Sequence, residues 1–448
     1  MKKYHALALA AALAVGSSLH AESPVTNWWE GKYASGNWFG ARNALEDHGI
    51  IFSGNWKGTY GAVVGGGLSR QGAFDEEIHL ALKLDFEKLA GIPGLSAFSS
   101  VRYRDGNNIN DYVGASQAFN PTSYQVGKQW RFQQAYLTWE SRNMFFIENM
   151  ITISGGWQNP YHFFAQQPES KLFTNNAITQ TKGIGANIPF NGSYGTWGGH
   201  VKVKPTTWSY VQAGLYAAVP NATTTANHGL YFELANPPDS NGLYFLTETG
   251  VTPKIAGLPG KYAMGTYYWG LENTSFYGSK YDQKYGFYWQ ADQMVFREPS
   301  PESAPLAKGP SDGKSTAKSF KEPVAAAKPG AQGLYWFNFV NYTPKYDNSL
   351  PFYFHTGLVY KGLIPGRDTD QLGLALAYGQ YSYYKILARR DAGQQIQQTY
   401  EAVLECDYRI QLTQFAYVQP FLQYLIRPNG TGVVANATVL GLHMGVTF

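Results

Sequence analysis

The stretch Asn436-Ala-Thr-Val-Leu-Gly-Leu-His-Met-Gly-Val-Thr-Phe448 alternates along its length and stops on an aromatic residue. Side chains of an extended strand reverse direction at every residue, so Leu440, Leu442, Met444, Val446 and Phe448 share one face and Gly441, His443 and Thr447 the other. An apolar face backed by a polar one is the register of a membrane barrel strand, lipid on its outside and water within. The other end of the chain agrees with this. Lys2 and Lys3 precede an apolar run from Ala6 to Val15 and the small-residue site Leu19-His-Ala21. That layout reads as a secretory signal peptide over 1–21 and places the mature start at Glu22.

Composition points the same way. Of 448 residues, 16% are aromatic and 49 are glycine, counts that aromatic girdles and glycine-punctuated strands raise. Mean hydropathy is −0.31, and beyond the signal no run approaches the ~18 apolar residues that a membrane helix needs. Helical insertion is excluded, whereas a closed ladder hides its backbone polar groups while only alternate side chains are apolar. Net charge falls from +4 to +2 without Lys2 and Lys3, so charge implies no nucleic-acid partner. The single cysteine, Cys406, excludes an internal disulfide and a zinc cluster; it shares the apolar phase of Leu404 and Tyr408 and reads as a small lipid-facing residue.

Alternation predicts an all-β fold, a transmembrane antiparallel β-barrel of about sixteen strands over residues 50–448, the even number that places both termini in the periplasm. The predicted strands are 50–61, 75–87, 95–104, 131–140, 149–158, 196–204, 209–218, 242–249, 262–272, 285–296, 333–343, 352–361, 371–383, 399–410, 415–427 and 436–448. In the second, Ile78, Leu80, Leu82, Leu84 and Phe86 face lipid, while His79, Lys83, Asp85 and Glu87 face a polar lumen. Glu401, Glu405, Asp407 and Arg409 repeat that logic in the fourteenth. Residues 22–49 form a periplasmic segment whose short helix, Ala41 to His48 with a Gly49 stop, caps the first strand. Parity makes 105–129, 159–195 and 219–241 extracellular. It puts 297–332, rich in Pro, Ala and Lys, in the periplasm as a low-complexity insertion, either inert or a contact to the cell wall or a partner.

Several segments resemble the carbohydrate-selective porin family of OprB type: Gly36-Asn-Trp38-Phe-Gly40-Ala-Arg42, Asp85-Phe-Glu-Lys-Leu-Ala-Gly-Ile-Pro-Gly94, Gly362-Leu-Ile-Pro-Gly-Arg-Asp-Thr-Asp370, Gln419 to Gly430, and Asn436 to Gly441. They span nearly the whole mature chain. The resemblance implies an integral outer-membrane barrel of a Gram-negative-type cell that passes monosaccharides and small polar solutes by diffusion. It brings an infolding third outer loop, 159–195, and homotrimerisation as assemblies to expect. The Pro-rich insertion and the loops 105–129 and 219–241 depart from the pattern, which leaves the particular sugar open.

A sugar presents a ring of hydroxyls and weakly apolar faces, so the lumen should offer forked donors and aromatic surface. Arg102 and Arg104 share the inner phase of strand three, and the resemblance makes Arg104 the first choice. Their alternative role is to pair with lumenal acids. Trp197 resembles the tryptophan that opens the family's sixth strand; alternation points it outward unless Gly198-Gly199 form a bulge, and otherwise it belongs to the girdle. Glu140 and Lys202 supply an acceptor and a donor, or plain lumen lining. Phe163 and Phe164 offer stacking surface in the third outer loop, or pack that loop against the wall. No metal-ligand loop is visible, so no metal or cofactor is expected.

Rival functions leave weaker marks. No Gly-x-Ser-x-Gly or His-Glu-x-x-His motif supports an outer-membrane enzyme. An anchor with a blocked lumen fits poorly with the inward Gly373, Ala375, Ala377 and Gly379, which leave space. A general or anion-favouring pore would use Arg102, Arg104, Lys202 and Lys204, but Glu140, Glu401, Glu405 and Asp407 oppose it, and that balance favours neutral solutes.

Overall fold

The computed structural model describes residues 28–122, 128–179, 182–190, 195–219, 228–230, 242–299, 332–394 and 397–448. The signal segment and nearly all of the 297–332 insertion lie outside the described residues. Sixteen strands build the wall: β1 (Ile50–Gly67), β2 (Gly72–Asp85), β3 (Leu95–Gly106), β4 (Gln129–Glu140), β5 (Ile151–Gln158), β6 (Thr196–Thr206), β7 (Ser209–Ala218), β8 (Gly242–Val251), β9 (Leu258–Trp269), β10 (Lys284–Arg297), β11 (Gly333–Tyr342), β12 (Phe352–Lys361), β13 (Gln371–Gln380), β14 (Tyr400–Gln411), β15 (Ala416–Ile426) and β16 (Ala435–Thr447). Each is antiparallel to its chain neighbours, and β16 closes the circle on β1 from Asn55 opposite Thr447 to Gly67 opposite Ala435. Closure leaves no strand edge, the condition for crossing hydrocarbon with strands.

The alternation sets the two surfaces. Leu137, Val211, Leu374, Leu440 and Leu442 stand exposed on the outside, while His200, Glu248, His355, Glu405 and His443 are buried within. The closing residue finds a prepared seat. Phe448 N donates to Gly54 O at 2.9 Å, and a Cβ on Gly54 would stand 2.6 Å from the Phe448 ring, so only glycine fits below it.

The predicted N-terminal helix forms over Ala41–Asp47 at the end of the barrel that carries Phe448. Arg42 fastens it: Nη2 donates to Phe52 O at 2.8 Å, Nε meets Glu46 at 3.3 Å, and the guanidinium carbon sits 3.2 Å from the Tyr33 ring centroid. Ala34 N also donates to Thr447 O at 2.9 Å.

Some expectations are corrected. β1 continues to Gly67, beyond the predicted end at 61, and β9 begins at Leu258. β2 stops at Asp85, whose carboxylate accepts from Glu87 N and Lys88 N and so caps a helix over Phe86–Ala90. Phe86 therefore leaves the lipid face, and Glu87 leaves the lumen to pair with Arg142 at 2.6 Å. β13 stops at Gln380 because Ser382 caps a helix over Tyr383–Asp391 in a stretch whose alternating tyrosines mimic a strand. The inward small residues of β13 hold no open water space. A Cβ on Gly373 would meet Leu172 at 2.6 Å and Phe173 at 2.7 Å, and Gly379 lies beneath Phe119.

Those three side chains come from outer loops folded into the lumen. Phe164, Leu172, Phe173, Ile178, Ile184 and Phe190 of the third outer loop pack with Leu246, Phe337, Phe339 and Tyr353 from the inner wall. Burying each such side chain contributes roughly 1.5–3 kcal/mol. Ile109, Val113 and Phe119 of the loop after β3 join the same core. Part of the inner wall is thus an apolar seat for protein, and the lumen is less wet than its charged residues alone suggest.

Candidate functional site

The buried carboxylates of the wall clamp the third outer loop. Glu248 on β8 accepts from Ala165 N at 2.9 Å, and Glu405 on β14 accepts from Thr174 N at 2.8 Å, Thr174 Oγ1 at 2.7 Å and Asn175 N at 3.1 Å. Gln167 Nε2 donates to Asn338 O at 2.7 Å, and Glu169 pairs with Lys361 at 2.9 Å. Gln419 Nε2 holds Leu172 O at 2.8 Å. These clips run from β8 round to β15, so the loop lines one side of the lumen and its free side faces β1–β3.

Across from it, register gathers charge. Glu77 stands directly opposite Lys57 on β1 and Arg104 on β3, in strands about 4.8 Å apart. Glu77 Oε2 accepts from Arg104 Nε at 2.7 Å and forms an ion pair with Arg102, whose Nε lies 3.3 Å away. His79 lies opposite Arg102, and Arg131 opposite Arg102 on its other side. One carboxylate therefore hydrogen-bonds the Arg104 guanidinium and attracts that of Arg102, side chains that retain 10% and 13% exposure respectively. A shared buried acceptor fixes the forks but depends on its partners, because removing one member of such a group costs about 3–5 kcal/mol.

The loop supplies the facing surface. Asn159 caps the turn that presents Tyr161, whose hydroxyl donates to Thr179 O at 3.0 Å. Lys171 donates to the Tyr161 hydroxyl and to Thr179 O at 2.9 Å, with its ammonium 4.4 Å from the Tyr161 ring centroid. His162 contacts Gln134 at 3.2 Å. Burial, then the Arg102 charge, holds the His162 imidazole down at about 3, so it is neutral. Burial lowers the Lys171 ammonium to about 7, against the pull of Asp292.

The seven residues singled out in sequence divide. Arg102 and Arg104 come together as expected. Glu140 pairs in register with Thr152, and Thr152 with Lys202, so these two share one level of the wall. Arg104 lies level with Gln129, eleven residues from Glu140 along β4, which is roughly 35 Å at strand rise. Glu140 therefore stands toward the far mouth, while Lys202 is also in register with Gln212 and Glu248, beside the Phe163–Ala165 segment of the loop. Lys202 Nζ rests 4.3 Å from the Tyr210 ring centroid. Phe163 stacks on His200 at 4.6 Å and retains partial exposure, whereas Phe164 is fully buried.

Trp197 is a correction. The β5–β6 ladder runs through Gly198 and Gly199 with no register shift, so the bulge that would turn the indole inward does not form. It keeps the outward phase of Val201 and meets Trp157 edge-on at 5.7 Å, a rim pair. Among residues not singled out, Glu77, Lys57 and Lys171 carry the most charge into the site. Phase alone would have found Glu77, two residues before His79.

A closed antiparallel barrel, apolar outside and narrowed inside by a clamped loop opposite a charged wall, is an integral outer-membrane porin and a passive channel. The model of the carbohydrate-selective porin family, OprB, matches residues 69–448, and the chain belongs to that family. Porin B of Pseudomonas aeruginosa is 26% identical over 471 aligned residues, which cover 98% of this chain and 95% of that one. The putative porin QuiX of Acinetobacter baylyi is 23% identical over the full length of both. The high-pH structure of Pseudomonas putida OprB superimposes with a TM-score of 0.80 at 23% identity, covering 94% of this chain and 99% of that one. Its low-pH structure gives 0.56.

Proposed function

We propose that this porin passes monosaccharides through the gap between the Arg102–Glu77–Arg104 cluster and the Tyr161–Lys171 face of the third outer loop. The observation that carries this reading is the sharing of Glu77 Oε2 by both arginines at 3.3 and 2.7 Å. Arg104, fastened to that carboxylate, and Arg102 beside it can each donate to adjacent sugar hydroxyls, while Phe163, half-buried on the loop further along the lumen, offers aromatic surface for a sugar face. Glu140 lines the opposite vestibule and Lys202 the wall beside the third outer loop, where they contact solute before or after the narrow part.

Liposome swelling with an Arg102→Ala/Arg104→Ala variant tests the assignment. Slower glucose entry in a variant that still shows the folded barrel's heat-modifiable mobility is the expected result. Wild-type glucose entry would remove the arginines from sugar recognition.

A further inference from the structure

The acids counted from sequence against an anion preference do not reach the passage. Glu405 is bonded to the loop through Thr174 and Asn175. Glu401 accepts from Ser116 N at 3.1 Å, Asn429 N at 2.8 Å and Tyr381 OH at 2.9 Å, and is wholly buried. Asp407 is wholly buried and accepts from Gln419 at 2.6 Å. Glu248 accepts from Ala165 N, Tyr210, Gln212, Tyr288 and Gln290. Asp292 lies beside Lys261 and Lys361. Glu140 is at the far mouth. Glu248, Glu401 and Glu405 thus spend their charge on holding loops.

The cations are distributed differently. Lys57, Arg102 and Lys171 keep part of their surface open to the lumen. Apart from Glu77, the strongest charges acting on Lys57 are all positive: Arg409, Arg102 and Lys171. The strongest charges acting on Glu77 are also all positive, from Arg102, Arg104, Lys57 and His79. Glu77 alone thus answers Lys57, Arg102 and Arg104, and Asp292 alone Lys171, so cations are brought together against their mutual repulsion, an arrangement that an anionic solute relieves.

We propose that the passage favours acidic monosaccharides, sugars that carry a carboxylate such as a hexuronate, over inorganic cations and over neutral sugars of the same size. This rests on the reading that monosaccharides pass here. The carboxylate would take the Arg102 fork or the Lys57 and Lys171 ammonium groups, and the ring hydroxyls would keep the remaining donors. No bond is made or broken; the field of the cluster concentrates the anion at the narrowest part, an effect of about tenfold or more in a charge-lined cleft.

The test is the reversal potential of the full-length porin in planar bilayers under a sodium glucuronate gradient, with glucose swelling measured in parallel. An anion-to-cation permeability ratio of about ten or more is expected, falling toward unity in a Lys57→Gln/Lys171→Gln variant that retains heat-modifiable mobility. A cation-directed or zero reversal potential, or chloride selectivity with glucuronate excluded, would overturn the inference while leaving the monosaccharide reading intact wherever glucose still enters. Failure of both glucose and glucuronate to enter would overturn the reading beneath it as well.

Discussion

Replacing Glu405 by alanine should release the third outer loop without opening the barrel. The carboxylate receives three loop donors, Thr174 N at 2.8 Å, Thr174 Oγ1 at 2.7 Å and Asn175 N at 3.1 Å, and Gln423 Nε2 at 3.0 Å from the wall. A hydrogen bond to a charged group is worth about 1.5–3 kcal/mol net, so three of them contribute roughly 4.5 kcal/mol at the low end. Asp407, two residues along the same face, gains from losing a like-charged neighbour, and this offsets a part. A net loss of about 3 kcal/mol shifts the docked-to-undocked ratio roughly a hundredfold. The ladder through Glu405 pairs backbone atoms with Ala375 and Gln423 and survives the change. Single-channel recording should then show a larger and noisier conductance, and disaccharides should enter liposomes faster. Glu405→Gln, which keeps one acceptor oxygen, should fall between. Wild-type conductance and size cut-off in a folded Glu405→Ala barrel would refute the clamp.

Three further outcomes follow from the same geometry. Glu140→Ala should leave glucose entry close to wild type in swelling assays, since Glu140 stands roughly 35 Å from the Arg104 level along β4; a loss as large as that of the arginine variant would contradict the division of the site. Gly373→Leu should displace Leu172 and Phe173, which already stand 2.6 and 2.7 Å from a Cβ there, at a cost of about 1–3 kcal/mol, and should raise conductance while the barrel stays folded. Because the Lys171 ammonium is lowered to about 7 and a lysine is charged below its pKa, anion preference should rise as pH falls from about 8 to about 6. The groups around Lys171 are Tyr161, the Thr179 carbonyl, Asp292 and Lys57, with His355 close by. A Lys171→Met variant should show a weaker dependence, as read from reversal potentials across the same range.

Alternation is a local property, and what depends on it alone was legible in the chain: the closed barrel, the strand count, and the inward phase of Arg102 and Arg104. Departures arise where a cap competes with alternation. Asp85 and Ser382 each bond backbone amides three residues on, and helices begin where tyrosine and phenylalanine at every second place mimic a strand. The site was harder to read because it is assembled across the barrel. Glu405 and Thr174 are 231 residues apart, and no spacing in the chain reveals that an inner-phase acid will be spent on a loop amide. Gly373 and Ala375 misled for the same reason. Small residues leave room, but the occupants are Leu172 and Phe173, supplied from a loop. Trp197 shows the reverse case: the ladder keeps plain alternation through Gly198 and Gly199, without the added bulge.

Whether the narrow part of this porin reads sugars is decided by liposome swelling with the wild-type protein in isosmotic glucose, a disaccharide and a neutral amino acid of similar size to glucose. Glucose entering faster than both is the predicted result. Equal entry of glucose and the amino acid would contradict it, because a lumen that sorts by size alone has no use for the arginine pair that Glu77 holds.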